Sequence, residues 1–199
     1  RDYESFGPQL SRKGFMVAAM DYRLAPEHPW PAQLEDVLEA IAFLRSQLTD
    51  PERLAVWGHS AGGHLAMMAA LAKPEWVRCA VALGAPSSLE AMDESELQDV
   101  FGSVPLDEAS PTNVVVDDVP PMLLVHGTAD RVCPIDQARQ HAAQRPEVSL
   151  IEVPDGDHGV RWPPIAALRA RRQALNWMIE QMDMPARGSK WKRRKKGKR

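Results

Sequence analysis

The sequence predicts an α/β fold in which a mostly parallel sheet is flanked by helices. Short apolar runs alternate with amphipathic segments of helical length, as in chains whose parallel strands are joined by crossover helices. The 199 residues are enough for a domain with a hydrophobic core, and 44% apolar with 26% charged residues is typical of a globular protein. No internal repeat interrupts this pattern.

The predicted elements follow one another from residue 14 to residue 182. The strands are predicted at 14–22, 53–58, 79–86, 121–127 and 148–153. The helices are predicted at 31–48, 61–72, 134–144 and 163–182. The strands are apolar almost throughout, as expected when both faces of a parallel sheet are covered. The first helix has Pro31 in its first turn and an apolar stripe at helical spacing from Leu34 to Leu44.

A single domain is expected over residues 1–184, with an insertion at about 87–119. There the periodicity gives way to acidic, proline-containing chain, with a short helix expected near 89–101. Irregular stretches of this length more often form lids or binding loops than simple connections, so a small lid is expected.

The end of the chain differs in charge from the rest. Residues 187–199 hold nine of the 24 Lys and Arg and none of the 27 Asp and Glu, so residues 1–186 carry 15 basic against 27 acidic side chains. Like charges repel one another, and residues 185–199 are therefore expected to form a disordered basic tail. Nothing outside this tail favours nucleic acid, so nucleic-acid binding is not expected.

Cysteine usage and missing motifs bear on compartment and cofactors. Cys79 and Cys133 are the only cysteines, and two buried thiols in a reducing compartment are favoured over a disulfide. A cytoplasmic location without a membrane span is expected, although a signal peptide stays open because the sequence starts at Arg1. With no metal-ligand spacing, no G-x-G-x-x-G and no Walker loop, neither a metal nor a cofactor is expected.

The stretch AVWGHSAGG contains the pattern G-x-S-x-G between a predicted strand and a predicted helix. In that context Ser60 is expected to be a nucleophile on a tight turn made by Gly58, His59 and Gly62. The glycines are needed because a Cβ atom there would clash with neighbouring backbone. The helix that follows favours negative charge at its amino end, and the N–H of Ala61 is the expected donor to an oxyanion.

A serine hydroxyl needs a base, and the base needs an acidic group to orient it. Asp130 follows the strand at 121–127, and His158 follows the strand at 148–153. The chain order Ser, Asp, His is the order found when a serine turn of this kind carries a triad. Ser60, Asp130 and His158 are therefore predicted to be a catalytic triad. The alternatives are a turn residue for Asp130 and a surface loop histidine for His158.

The other histidines are expected to take no part in the chemistry. His59 and His64 flank the serine and are expected to pack or hydrogen-bond locally. His126 is expected within a buried strand, and His28 and His141 are expected at the surface or in turns.

The chain resembles an α/β-hydrolase of the hormone-sensitive-lipase-like esterase group, close to its small acetyl-esterase and kynurenine-formamidase-like members. The resemblance covers roughly residues 1–183 and is carried by DYRLAPEHPWPAQLEDV, GHSAGGHLA, SPTNVV, PPMLLVHGTADRVCP and DGDHGV. It implies the triad Ser60, Asp130 and His158, an acyl-enzyme intermediate, and small acyl esters or related amides as substrates.

The resemblance breaks at the front of the sequence. The family's HGGG-type motif, which supplies further oxyanion donors, should lie shortly before residue 1. The family's first strands are missing too, and in the family's sheet one of them lies between the strands predicted here at 14–22 and 53–58. An N-terminally truncated hydrolase fold is therefore expected. The two flanking strands are expected to close up and pair, unless the chain folds poorly alone or a partner supplies the edge.

The function expected is hydrolysis of short-chain carboxylic esters by a serine enzyme that lacks part of its oxyanion site. One alternative is an arylformamidase-like amide hydrolase, and another is an inactive chain or binding protein. The partner expected is a small ester or amide, and the oligomeric state is left open.

Overall fold

The computed structural model describes residues 7–8, 10–158 and 164–183. Within these residues, four parallel strands form one sheet in sequence order, so the predicted α/β class is confirmed. The strands are β1 (Ala55–His59), β2 (Cys79–Leu83), β3 (Met122–Gly127) and β4 (Val148–Val153). The helices are α1 (Ala32–Gln47), α2 (Ala61–Ala72), α3 (Glu94–Phe101), α4 (Ile135–Gln144) and α5 (Pro164–Asp183), with a 3₁₀ turn at Leu89–Ala91.

The strand register aligns the ends of the strands. Ala55 pairs with Cys79 at the start of β1 and β2, and Ala80 pairs with Met122 across β2 and β3. Met122 in turn pairs with Val148 at the start of β4. Because all four strands are parallel and in step, their carboxyl ends meet at one edge of the sheet. In open α/β sheets, this is the edge where binding and catalytic groups gather.

The sheet is covered by helices on both faces. In β2, Ala80 and Ala82 pack towards α1, α2 and α4, whereas Cys79 and Val81 pack towards α5. Burial on both faces explains why the strands are apolar almost throughout. Cys79 and Cys133 are both buried thiols, as predicted. Burial raises the pKa of the Cys79 thiol to about 12.

The strand predicted at residues 14–22 is wrong. These residues have no regular secondary structure, and the side chains of Met16, Val17 and Met20 are 67%, 45% and 40% exposed. Nor do they close up against β1, which in the described residues pairs only with β2. A strand is held by hydrogen bonds to a neighbouring strand, and the described part of the chain places none beside this stretch. Apolar composition alone did not make it a strand.

The insertion at 87–119 forms a small apolar cluster of its own. Leu89, Leu97, Phe101 and Ala109 are buried together, and Trp30 packs against them. The Trp30 N–H also donates to the carbonyl oxygen of Val100, 2.7 Å away.

The sequence predicted a basic tail and no membrane span. The basic tail expected at 185–199 lies outside the described residues. Of the helices in the described residues, none has both the length and the apolar character needed to span a bilayer.

Candidate active site

Ser60 lies on a strained turn between β1 and α2. Its φ of 54° and ψ of −124° lie in a region that residues other than glycine rarely occupy. The turn is held against β2, because the Ser60 N–H donates to the carbonyl oxygen of Leu83, 2.9 Å away. Such strain persists only where the surrounding structure enforces it, and it is common at functional sites.

Glycine is required at position 58 by the close approach of α2. A Cβ atom on Gly58 would lie 2.0 Å from the carbonyl oxygen of Gly62 and 2.6 Å from the nitrogen of Gly63. Gly62 therefore contributes to the tight turn through its carbonyl oxygen, which occupies the space beside Gly58. At Gly63, a Cβ atom would lie 2.6 Å from that of Ala85, which brings the start of α2 close to the loop after β2.

Asp130 lies in the turn that follows β3. Its carboxylate oxygen Oδ1 accepts hydrogen bonds from the N–H groups of Val132 and Cys133, at 2.9 Å and 2.8 Å. The side chain is completely buried. A buried carboxylate held by its own turn has one orientation, which suits it to orient a partner.

His158 lies in the loop that follows β4. This loop packs against the Asp130 turn, because the Asp155 N–H donates to Thr128 Oγ1 at 3.0 Å. The Ala129 N–H donates to the Gly156 carbonyl oxygen at 2.8 Å. The two loops are therefore joined by hydrogen bonds, and they leave the His158 side chain about 20% exposed.

The three loops bring Ser60, His158 and Asp130 together. Ser60 Oγ lies 2.8 Å from His158 Nε2. His158 Nδ1 lies 2.9 Å from Asp130 Oδ2 and 3.2 Å from Oδ1. Because a carboxylate only accepts, Nδ1 carries the hydrogen and Nε2 is left free to take the serine proton. The arrangement can therefore generate a serine nucleophile.

Donors for an oxyanion are few among the described residues. The N–H of Ala61 lies at the first position of α2, where it has no acceptor within the helix. In the loop after β2, the Gly84 N–H already donates to a carbonyl of β3. The N–H groups of Ser87 and Ser88 donate to Gln137 Oε1, at 2.7 Å and 2.9 Å. The N–H groups of Gly84, Ser87 and Ser88 are therefore not available to a substrate.

Comparison with known proteins finds a matching family model and several similar esterases. A family model described as BD-FAE matches residues 1–77. Esterase LipC of Mycobacterium tuberculosis is 32% identical over 187 residues, covering 76% of this chain and 46% of LipC. The probable carboxylic ester hydrolase LipM of the same organism is 28% identical over 170 residues, covering 70% of this chain and 39% of LipM. The chain is thus similar to esterases, in agreement with its resemblance to the hormone-sensitive-lipase-like group of α/β-hydrolases.

A solved structure shares the fold of this chain. The truncated form of a carbohydrate esterase from gut microbiota superposes with a TM-score of 0.72 at 23% identity, covering 83% of this chain and 74% of that one. The α/β-hydrolase fold expected from the resemblance is confirmed. The chain spans less than half the length of either LipC or LipM.

Two residues around the candidate site have contacts that the sequence did not predict. His59 Nε2 lies 3.0 Å from the main-chain carbonyl oxygen of His158. Gly84 has a φ of +50°, and a Cβ atom there would lie 3.6 Å from both Asp130 Oδ2 and His59 Nε2. The position of Gly84 directly after a buried strand was the one available signal. For His59, only its place beside Ser60 pointed to the site.

His126 lies behind the Asp130 carboxylate. It is buried in β3 as predicted, and its Nε2 lies 2.7 Å from the carbonyl oxygen of Cys133 and 3.3 Å from Asp130 Oδ2. Burial lowers the pKa of His126 and so favours the neutral ring, and its Nε2 carries the hydrogen because the two oxygens beside it only accept. A neutral donor in this position stabilises the carboxylate without replacing His158 as its partner.

His64 and His141 are also buried. His64 Nε2 lies 2.8 Å from the Ala109 carbonyl oxygen and so joins α2 to the insertion. The surface position expected for His141 is wrong, because this side chain is fully buried. It shares the sheet-facing side of α4 with Ile135 and Ala138, three residues apart along the helix. Neither ring nitrogen of His141 has a hydrogen-bond partner among the described residues.

The described residues give no indication of a metal. No three His, Cys, Asp or Glu side chains within them are grouped as metal ligands would be.

Proposed function

We propose that this chain carries the catalytic residues of a serine hydrolase that cleaves short-chain carboxylic esters through an acyl-enzyme. The observation that supports this most directly is the pair of contacts on His158, at 2.8 Å to Ser60 Oγ and 2.9 Å to Asp130 Oδ2. The names of LipC and LipM, an esterase and a probable carboxylic ester hydrolase, support the ester class.

The proposed reaction has two halves. Ser60 Oγ attacks the ester carbonyl carbon while its proton passes to His158 Nε2, and Asp130 stabilises the imidazolium that forms. The tetrahedral intermediate collapses when the alcohol leaves with that proton, and the acyl group stays on Ser60. Water then attacks the acyl group with His158 as base, and the carboxylic acid is released as Ser60 regains its proton. The Ala61 N–H donates to the oxyanion in both halves.

We also propose that the 199-residue chain, assayed alone, turns over slowly. Its sequence contains no HGGG-type stretch, and three N–H groups after β2 are engaged within the protein. Removal of one oxyanion donor lowers kcat about a hundred- to a thousandfold. Hydrolysis of p-nitrophenyl acetate is therefore expected at least about a hundredfold below that of small esterases with a complete site.

Labelling with a fluorophosphonate tests the nucleophile without requiring fast turnover. The reagent is expected to modify Ser60 once per chain, as measured by intact mass and peptide mapping. Ser60→Ala is expected to lower the labelling rate at least about a thousandfold. Ser46→Ala, at an exposed serine on α1, is the matched control and is expected to label normally. Labelling that persists in the Ser60→Ala variant would contradict the proposal.

The same preparation separates the alternatives. An arylformamidase-like enzyme would cleave N-formylkynurenine faster than p-nitrophenyl acetate, whereas an inactive binding protein would not be labelled at all.

A further inference from the structure

We propose that His59 is a positioning residue that holds the main chain of His158 through a hydrogen bond from its Nε2–H. The inference rests on the proposed serine hydrolase function, because it explains how the Ser60–His158 contact is kept. His59 lies directly before Ser60 in the chain, yet its side chain reaches the loop that carries the base.

The direction of this hydrogen bond follows from the chemistry of its two atoms. His59 Nε2 lies 3.0 Å from the main-chain carbonyl oxygen of His158. A carbonyl oxygen only accepts, so the hydrogen is on His59 Nε2. The two imidazole rings have centroids 5.4 Å apart and planes inclined at 48°. The His59 proton is thus committed to the carbonyl, and His59 is not a second base for Ser60.

The hydrogen bond from His59 reaches the main chain of His158 itself, two residues beyond Gly156. Hydrogen bonds to Thr128 and Ala129 hold the loop at Asp155 and Gly156. Among the hydrogen bonds of the described residues, the one on the main chain of His158 itself comes from His59. A displacement of about 1 Å in a reacting group can lower a rate about a hundredfold. A single donor that fixes the position of His158 can therefore change the rate at which Ser60 reacts.

His59 is itself held firmly. It is the last residue of β1 and pairs with Leu83 in β2. Gly84, which directly follows β2, leaves room for the ring: a Cβ atom there would lie 3.6 Å from His59 Nε2 and 3.8 Å from His158 Nδ1. The His59 ring therefore extends from the end of β1 and passes over Gly84, which has no side chain to obstruct it.

Two amide variants test whether the donor at this position is what matters. Glutamine carries its side-chain N–H₂ at about the reach of histidine Nε2, and asparagine is one methylene shorter. We expect His59→Asn and His59→Leu to slow fluorophosphonate labelling of Ser60 about tenfold, and His59→Gln to stay within about threefold of the unsubstituted chain. His28→Gln, at an exposed histidine, is the control and is expected to label normally.

Steady-state kinetics and NMR distinguish positioning from general damage. With p-nitrophenyl acetate, His59→Leu is expected to lower kcat and leave KM unchanged, because the proposed role of His59 is to hold His158 and not to bind the ester. The low-field proton on His158 Nδ1, hydrogen-bonded to Asp130, is expected to broaden or disappear in His59→Leu and to persist in His59→Gln. This signal reports on the His158 ring even in a chain that does not turn over.

Three outcomes decide the matter. Labelling of His59→Leu at the unsubstituted rate would overturn the inference. So would labelling of His59→Gln as slow as that of His59→Asn with an unchanged thermal midpoint, since the donor would then be irrelevant. If the unsubstituted chain is not labelled, the proposed function fails, and the His158 proton signal alone then supports or overturns the role of His59.

Discussion

Residues 14–22 and strand β3 are two apolar stretches that differ in structure: β3 is a buried strand, whereas residues 14–22 have no regular secondary structure. Met122, in β3, is completely buried, whereas Met16 is 67% exposed. β3 lies between β2 and β4 with helices on both faces, and residues 14–22 have no strand beside them in the described chain. An apolar composition is therefore not sufficient for a strand. The stretch must also lie beside another strand with which it can form hydrogen bonds.

The β1–α2 turn gives the sheet region its most sensitive position. Gly58→Ala would put a Cβ atom 2.0 Å from the Gly62 carbonyl oxygen, so either the turn or α2 must shift. We expect the free energy of unfolding to fall by more than about 4 kcal/mol and labelling of Ser60 to be lost. Urea unfolding followed by circular dichroism measures the first effect.

The control for this prediction is Gly102→Ala. Gly102 has a φ of +55°, and no atom lies within 4 Å of the position that a Cβ atom would take there, so only backbone strain is added. A loss of about 1–3 kcal/mol is expected. Equal losses at Gly58 and Gly102 would mean that crowding at the turn is unimportant.

A pair of methionines tests the comparison between the two apolar stretches directly. Met122→Ala is expected to lower the free energy of unfolding by about 2–5 kcal/mol, because it leaves a cavity in the core. Met16→Ala is expected to change it by less than about 0.5 kcal/mol, because the side chain is already in solvent. Both are measured by urea unfolding. A large loss in Met16→Ala would show that residues 14–22 are covered in solution, and the contrast with β3 would disappear.

The same contrast explains what the sequence could and could not predict about the fold. The four strands of the sheet were predicted from short apolar runs, and the helices that pack on them from amphipathic segments of helical length. The position of residues 14–22 depends on a neighbouring strand and leaves no local trace. His141 was misplaced for a related reason: a polar residue on a short helix gives no sign of which side faces the sheet.

The candidate site was predictable to the extent that its residues follow strand ends. Ser60, Asp130 and His158 each come shortly after a strand, and the carboxyl ends of parallel strands share one edge. The contacts of His59 and Gly84 depend instead on how three loops pack, and no spacing in the sequence encodes that packing. Their roles, like that of the triad, are now questions for measurement.

The buried histidines of the sheet region give a smaller effect, which depends on pH. Burial lowers the pKa of His64 and of His141 to about 4, and for His141 the nearby Arg145 adds to the effect. In the unfolded chain both rings titrate near their ordinary value of about 6.5. Burial also lowers the pKa of His126. Between pH about 6.5 and 4, His64 and His141 therefore bind protons in the unfolded chain and stay neutral in the folded chain.

The sign of the pH effect follows from this difference. The free energy of unfolding is at its full value above pH about 6.5 and falls as the pH drops towards 4, by up to about 1.4 kcal/mol per pH unit for each histidine. His141→Leu is expected to make the fall shallower, since it removes a titrating ring whose nitrogens have no partner among the described residues. Urea unfolding at pH 7.5, 6 and 5 measures the slope, with the exposed His28→Leu as control. If His141→Leu and His28→Leu keep the same slope, then His141 is accessible to protons in the folded chain, and the sheet region is less tightly closed than its burial indicates.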